Sequence, residues 1–227
     1  MARSIRETET DAAASEAIES KDRRALLALG DEDFDPYAER ILDAARRELL
    51  EHGLRRTSLD QVARAAEVSR ATLFRRFPNR DALVFALAAR EARGAIARVD
   101  EQVAEIDDAE DFMVTGALGV IHEITGNGLL QRLLVTDAEQ ILPLLTSRSG
   151  PILLMGREYI AGHLRRLRKS GAILSGDLDV LAELLARMTL SLAVNRQSLI
   201  PLDDDEQLSR VVRGTIVPLL LGAPGPG

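Results

Sequence analysis

From residue 36 onward the apolar positions recur three and four residues apart, the spacing of one buried face on an α-helix. Ile41, Leu42, Ala45 and Leu49 form the first stripe. Asp35-Pro36 ahead of it reads as an N-cap followed by proline at the first helical position, and His52-Gly53 closes it. A second stripe, Val62, Ala63 and Ala66, starts at Ser58, with Gln61 at capping-box spacing. Val68-Ser69 turns the chain, and Ser69 caps a short third helix carrying Leu73 and Phe77. Pro78 stops that helix, because the residue before a proline is pushed out of the helical region. Asn79 then caps a long fourth helix with Leu83, Val84, Leu87 and Ile96 among its apolar positions.

Beyond residue 100 the rhythm predicts helices over 110–125, 128–146, 150–169, 178–197 and 205–220, the second broken near Thr136. Gly126, Gly128, the stretch from Ser147 to Gly150, Ser170-Gly171 and Pro201 supply the punctuation. No run alternates as a strand does, so the fold class is all-α. Residues 1–34, rich in Ala, Glu, Asp and Ser, read as a mobile arm with one short helix near Leu26 and Leu27, and 222–227 as a frayed tail.

Composition narrows the chemistry. Aliphatic residues dominate the 46% apolar fraction, and there is no Cys, which removes disulfides, thiolate metal sites and cysteine catalysis. His52, His122 and His163 stand far apart without metal-ligand spacing, so neither metal nor cofactor is expected. Gly126-Asn127-Gly128 lacks the upstream strand of a nucleotide loop. No acid, base or nucleophile constellation points to an enzyme. The amino terminus has no apolar core of a secretory signal, and no run is long enough for a bilayer, which predicts a cytoplasmic protein without a membrane partner.

The net charge of -7 changes meaning once it is mapped. Residues 1–38 carry ten acids against five basic residues, whereas 54–80 carry seven arginines against Asp60 and Glu67. DNA responds to the local patch, and arginine suits phosphate and guanine edges. Two short helices joined by a tight turn let the second enter a major groove roughly 12 Å wide. Arg70, Ala71 and Thr72 are placed to meet base edges, with Arg75, Arg76 and Arg80 on the phosphate backbone and Arg55 and Arg56 flanking them. Ser69 caps the reading helix, whose first amides can also meet a phosphate. An amphipathic helical pair with a solvated arginine face is the competing description.

The stretch TSLDQVARAAEVSRATLFRRFPNRDAL, within residues 36–83, resembles the DNA-binding domain of the TetR family of bacterial regulators, and LLQRLLVTDAEQILPLL resembles carboxy-terminal domains of some members. The resemblance implies a three-helix DNA-binding domain with a helix-turn-helix over 35–80, followed by a helical ligand-binding and dimerisation domain over 81–221. It implies a homodimer that represses from a palindromic operator and is released by a small molecule. Its DNA contacts transfer to Thr57, Ser69, Thr72, Phe74, Arg76 and Arg80. Glu67 stands at the usual glycine of the turn, Phe74 where tyrosine is common, Arg76 where histidine is frequent and Arg80 for lysine.

Two further sets follow from the body. Phe112, Met113, Met155, Tyr159, His163, Met188, Leu192 and Asn195, with Gly116 and Gly119 leaving space, suit a largely apolar effector held by one or two hydrogen bonds. Leu181, Leu184, Leu185 and Met188, then Leu208, Val211, Val212, Ile216 and Leu219, suit a two-fold four-helix interface. Arg165, Arg166, Arg168 and Lys169 read as a solvated helix end whose cations favour the dipole. An activator, or a regulator without an effector, keeps the same sequence features. A helical enzyme or adaptor leaves the order of caps, turn and arginines unexplained.

Overall fold

The computed structural model describes residues 35–221 apart from Arg148 and Ile173; the expected arm at 1–34 and tail at 222–227 lie outside the described residues. Eleven α-helices and one π-helical turn make up the described chain, with no named strand among these residues. They are α1 (Pro36–His52), α2 (Leu59–Ala65), α3 (Arg70–Arg76), α4 (Arg80–Val103), α5 (Ala109–Gly126), α6 (Gly128–Thr136), α7 (Ala138–Leu145), α8 (Gly150–Lys169), α9 (Leu178–Val194), α10 (Asp205–Val211) and α11 (Val217–Leu220).

Local chemistry accounts for most helix starts. The Asp35 carboxylate accepts from the amides of Tyr37 and Ala38 at 2.8 and 2.9 Å. The Ser58–Gln61 capping box forms in both directions, and Ser69 and Asn79 accept from the amides of Thr72 and Ala82. Each bond satisfies an amide that the first helical turn would leave orphaned. Asp108, Asn127, Asp177 and Asp204 do the same for α5, α6, α9 and α10. The break expected near Thr136 falls at Asp137.

Two apolar cores result. The first gathers Ile41, Leu42, Val62, Leu73, Phe77 and Leu87 from α1–α4, and it continues into Leu129, Leu133 and Ile141 of α6 and α7. Packing therefore does not stop where the sequence pattern changes after residue 80. The second core lies among α5, α8, α9 and the carboxy-terminal helices, through Phe112, Leu164, Ala182 and Leu208. The helix α4 runs between the two cores, from Leu83 in the first to Val103 in the second. At Gly119 a Cβ would come within 2.6 Å of the Gln102 side chain and 3.3 Å of Val99, so this glycine admits α4 rather than a ligand.

Pro218 explains the π-helical turn at Val212–Ile216. It has no amide hydrogen, and its ring would crowd the Gly214 carbonyl in a regular α-helix. The Val217 amide instead reaches back five residues to the Val212 carbonyl. No helix among the described residues is long and apolar enough to cross a membrane.

Candidate functional site

The reading helix α3 is anchored by Leu73 and Phe77, both buried, and it turns Ser69, Arg70, Ala71 and Arg75 to solvent. Arg55 and Arg56 are exposed on the turn before α2. The Thr72 hydroxyl lies 2.8 Å from that of Ser69, so it is engaged at the start of the helix. Arg70 pairs with Asp60 at 3.2 Å and lies over the Phe74 ring, its guanidinium carbon 5.2 Å from the centroid. Phe74 has no hydroxyl to offer a phosphate; its ring supports Arg70 instead.

Two of the expected DNA contacts are bonded within the protein, and a third is half-buried. Thr57 is buried, and its hydroxyl donates to the carbonyls of Gly53 and Glu48 at 2.8 and 3.2 Å. Arg76 closes onto Asp35 through Nε at 2.9 Å and a terminal nitrogen at 2.8 Å, with its guanidinium over the Tyr37 ring. It therefore ties the end of α3 to the start of α1. The hydrogen bond from Arg76, aided by the Ala38 and Tyr37 amides, holds the Asp35 carboxyl below its ordinary range. Arg80 is half-buried at the first position of α4, and one of its terminal nitrogens is buried without a hydrogen-bond partner.

The turn between α2 and α3 has φ of 54° at Glu67, a left-handed conformation that costs a side-chain-bearing residue roughly 1–2 kcal/mol. The amides of Glu67 and Val68 close the turn onto Arg64 and Ala63, and Arg40 of α1 donates to the Ala66 carbonyl at 2.7 Å. The Glu67 side chain is 87% exposed, so packing does not offset the strain. Glu67→Gly is expected to stabilise the chain by about 1 kcal/mol after glycine's own entropy cost. A thermal midpoint that fails to rise would show that the left-handed Glu67 carries no net strain.

In the body, α4, α5, α8, α9 and the carboxy-terminal helices line a partly open cavity of about 200 Å³ with an almost wholly apolar wall. Phe112, Met113, Tyr159, His163, Met188 and Leu192 line it, as does Gly116. Met155 and Asn195 do not. The wall on α8 begins one turn after Met155, and α9 ends at Val194, so Asn195 caps the helix and accepts from the Gln197 amide. The polar corner is built on Asp100, which sequence reading missed. Its carboxylate accepts from the Tyr159 hydroxyl at 2.9 Å and lies 3.0 Å from His163 Nε2. Arg166 donates to His163 Nδ1 at 3.1 Å, which fixes the neutral ring with its proton on Nε2.

Burial lowers the His163 pKa from 6.5; Asp100 opposes this, and Arg166 reinforces it. Burial and Asp100 both raise that of Tyr159. A histidine held neutral in the fold gives stability that is complete above about pH 6.5 and is lost as pH falls toward its depressed folded value. Thermal unfolding should therefore shift downward as pH falls below about 6.5, and His163→Gln should flatten that slope. An unchanged slope in the variant would assign the titration elsewhere.

The expected dimer face is only partly at the surface. Leu181, Leu208 and Val212 are buried in the protomer's own core, while Leu185, Val211 and Ile216 face the cavity. Leu184, Met188 and Leu219 remain exposed, joined by Val180, which the sequence did not single out. The helix α9 is apolar on two sides, and composition alone does not say which side meets α8. The second basic run is engaged locally: Arg165 pairs with Asp179, Arg166 with His163, and Arg168 with the Gly176 carbonyl. Among the described residues no group of three or more His, Asp or Glu could hold a metal ion.

Comparison with known proteins agrees with this geometry. The model for bacterial regulatory proteins of the tetR family matches residues 41–87, and that for the Bacterial Tetracyclin repressor, C-terminal domain matches residues 108–212. An uncharacterized HTH-type transcriptional regulator of Mycobacterium tuberculosis is 29% identical over 154 residues, covering 68% of this chain and 76% of that protein. The HTH-type transcriptional regulator UidR of Escherichia coli is 28% identical over 164 residues, covering 69% and 78%. The crystal structure of the TetR family repressor AlkX from Dietzia superposes with a TM-score of 0.60 at 22% identity, over 79% of this chain and 94% of AlkX. With both family models matched, together over more than half its length, the chain belongs to the TetR family of bacterial transcriptional regulators, which are not enzymes.

Proposed function

We propose that the protein is a homodimeric repressor that occupies a palindromic operator through α3 and leaves it when a small, largely apolar molecule enters the body. In this reading residues 35–80 read DNA, 81–221 bind the effector and pair the protomers, and the segments 1–34 and 222–227 flank them. The duplex partner places its work in the cytoplasm. The observation that carries the reading is the course of α4. It starts at Arg80, directly after the exposed reading helix, and ends at Val99 and Val103 in the cavity wall. A ligand that changes how those two residues pack has a rigid lever to the reading head.

The cavity chemistry favours the effector class. An apolar cavity of about 150 Å³ accommodates a benzene-sized guest, and this one is slightly larger. Thr189, Thr215 and the Tyr159 hydroxyl oxygen, which can still accept, offer the few hydrogen bonds that would orient it. The basic reading face supports the operator, and the exposed stripe on α9 supports the second copy. The test is competition between a bound promoter duplex and a panel of apolar molecules. Release by at least one ligand that also binds the isolated protein is expected. Ligand binding that never alters duplex affinity would refute the allosteric part.

A further inference from the structure

Among the described residues Asp137 is the one buried acid, 4% exposed, and it sits between α6 and α7 in the segment the sequence marks as VTDAEQ. It makes no side-chain cap for α7. Its carboxylate instead crosses to the reading domain. Oδ2 accepts from the Leu54 amide and Oδ1 from the Arg55 amide, each at 3.0 Å, and the Thr136 hydroxyl donates to Oδ2 at 2.6 Å. The Arg55 guanidinium, 68% exposed, stands 3.8 Å away and adds little beside two short charge-assisted bonds.

The turn is shaped for this contact. Gly53 has φ of 76°, and a Cβ there would fall 2.7 Å from Asp137 Oδ2. Thr57 grips the same turn from within, and Arg132 of α6 donates to the Glu51 carbonyl at 3.1 Å. Burial works to raise the Asp137 pKa, but the Thr136 hydroxyl, the two amides and the Arg55 charge outweigh it and hold the group ionised. A charged acceptor facing two otherwise orphaned amides is a directional tie, which apolar packing alone is not.

From this geometry we infer that Asp137 is a positioning residue for DNA reading. The body's carboxylate fixes the 53–57 turn and, through it, the tilt of α2 and α3. A displacement of α6 against α1 then reaches the reading helix through two hydrogen bonds. The inference rests on the DNA-binding reading and adds the residue that connects body to reader.

The full chain tests it, with a duplex that the wild type selects from a random pool and a scrambled duplex of equal length. Asp137→Asn keeps the volume but leaves one acceptor oxygen for two amides. It should bind the selected duplex about tenfold or more weakly while its low-salt binding to the scrambled duplex is unchanged. Amide exchange in the wild type should be as slow at Leu54 and Arg55 as within α1, and faster in the variant. Unchanged affinity for the selected duplex would overturn the inference, as would equal loss of both duplexes together with helical content. Fast wild-type exchange at the two amides would overturn it without any variant. A wild type that selects no duplex contradicts the DNA-binding reading, and amide exchange then still decides whether Asp137 holds the turn.

Discussion

Replacing Val180 and Leu184 together by glutamate should convert the protein to a monomer and remove most of its operator affinity. The two side chains are 57% and 47% exposed, one turn apart on α9, with Met188 a further turn along and 42% exposed. A large apolar side chain gains about 1.5–3 kcal/mol on full burial, so a half-exposed stripe repeated on two protomers supplies several kcal/mol. Four carboxylates brought together across a two-fold axis would reverse that gain. Neither residue lines the cavity or belongs to the buried core, so helical content should persist. Without the partner's reading head, duplex affinity should fall by about 10²–10⁴, the advantage of linked binding. Sedimentation of the wild type as a monomer at micromolar concentration would contradict the premise.

Arg70→Ala should produce the second large effect, a relaxed base preference rather than a uniform loss. In the free protein Arg70 rests on Asp60 and on the Phe74 ring. With 70% and 48% side-chain exposure, that ion pair is worth at most about 1 kcal/mol. A bidentate guanine contact is worth about 1–3 kcal/mol of discrimination, so the base wins the arginine. The variant should lose roughly tenfold to a hundredfold between selected and mismatched duplex. Arg75→Ala should weaken both duplexes alike and lower the salt slope by about one unit. Arg76→Ala should behave differently from either, because in the free protein its side chain is only 18% exposed and is held by Asp35. Asp35→Asn, which keeps the cap of α1 but removes the charge that Arg76 meets, should reproduce it. Equal discrimination by Arg70→Ala and wild type would remove the assigned reader.

What was legible in the sequence was local. Caps such as Ser58, Ser69 and Asn79 act within three residues, and the apolar stripes of α1–α4 declare one buried side each, so the elements emerge from spacing alone. The partners of the site residues are distant. Arg76 and Asp35 stand 41 residues apart, and Asp137 and Leu54 stand 83 apart. Nothing in the local pattern says that Arg76 turns inward while Arg75 turns out. The acid interrupting the apolar run before Ala138 was the available signal for Asp137, and it reads equally as a helix N-cap. In the body, α9 offers apolar residues to two sides, so Leu181 and Leu184 are equivalent on paper until α8 claims one of them. More of the cavity lining was legible, because Tyr159 and His163 stand one helical turn apart and Phe112 is a large apolar group on an apolar helix. Asn195 lies outside the cavity wall because the helix ends at Val194, earlier than the expected residue 197.

The operator, the effector and the second copy all depend on sequence-specific duplex binding through α3. It is tested most directly by measuring wild-type affinity for a duplex recovered from the protein's own genomic binding sites, against its scrambled version, at moderate salt. The expected result is a preference of about 10³ or more for the recovered duplex, with protection of two half-sites roughly one helical turn apart. Equal affinity for the two duplexes would mean that α3 does not read base sequence.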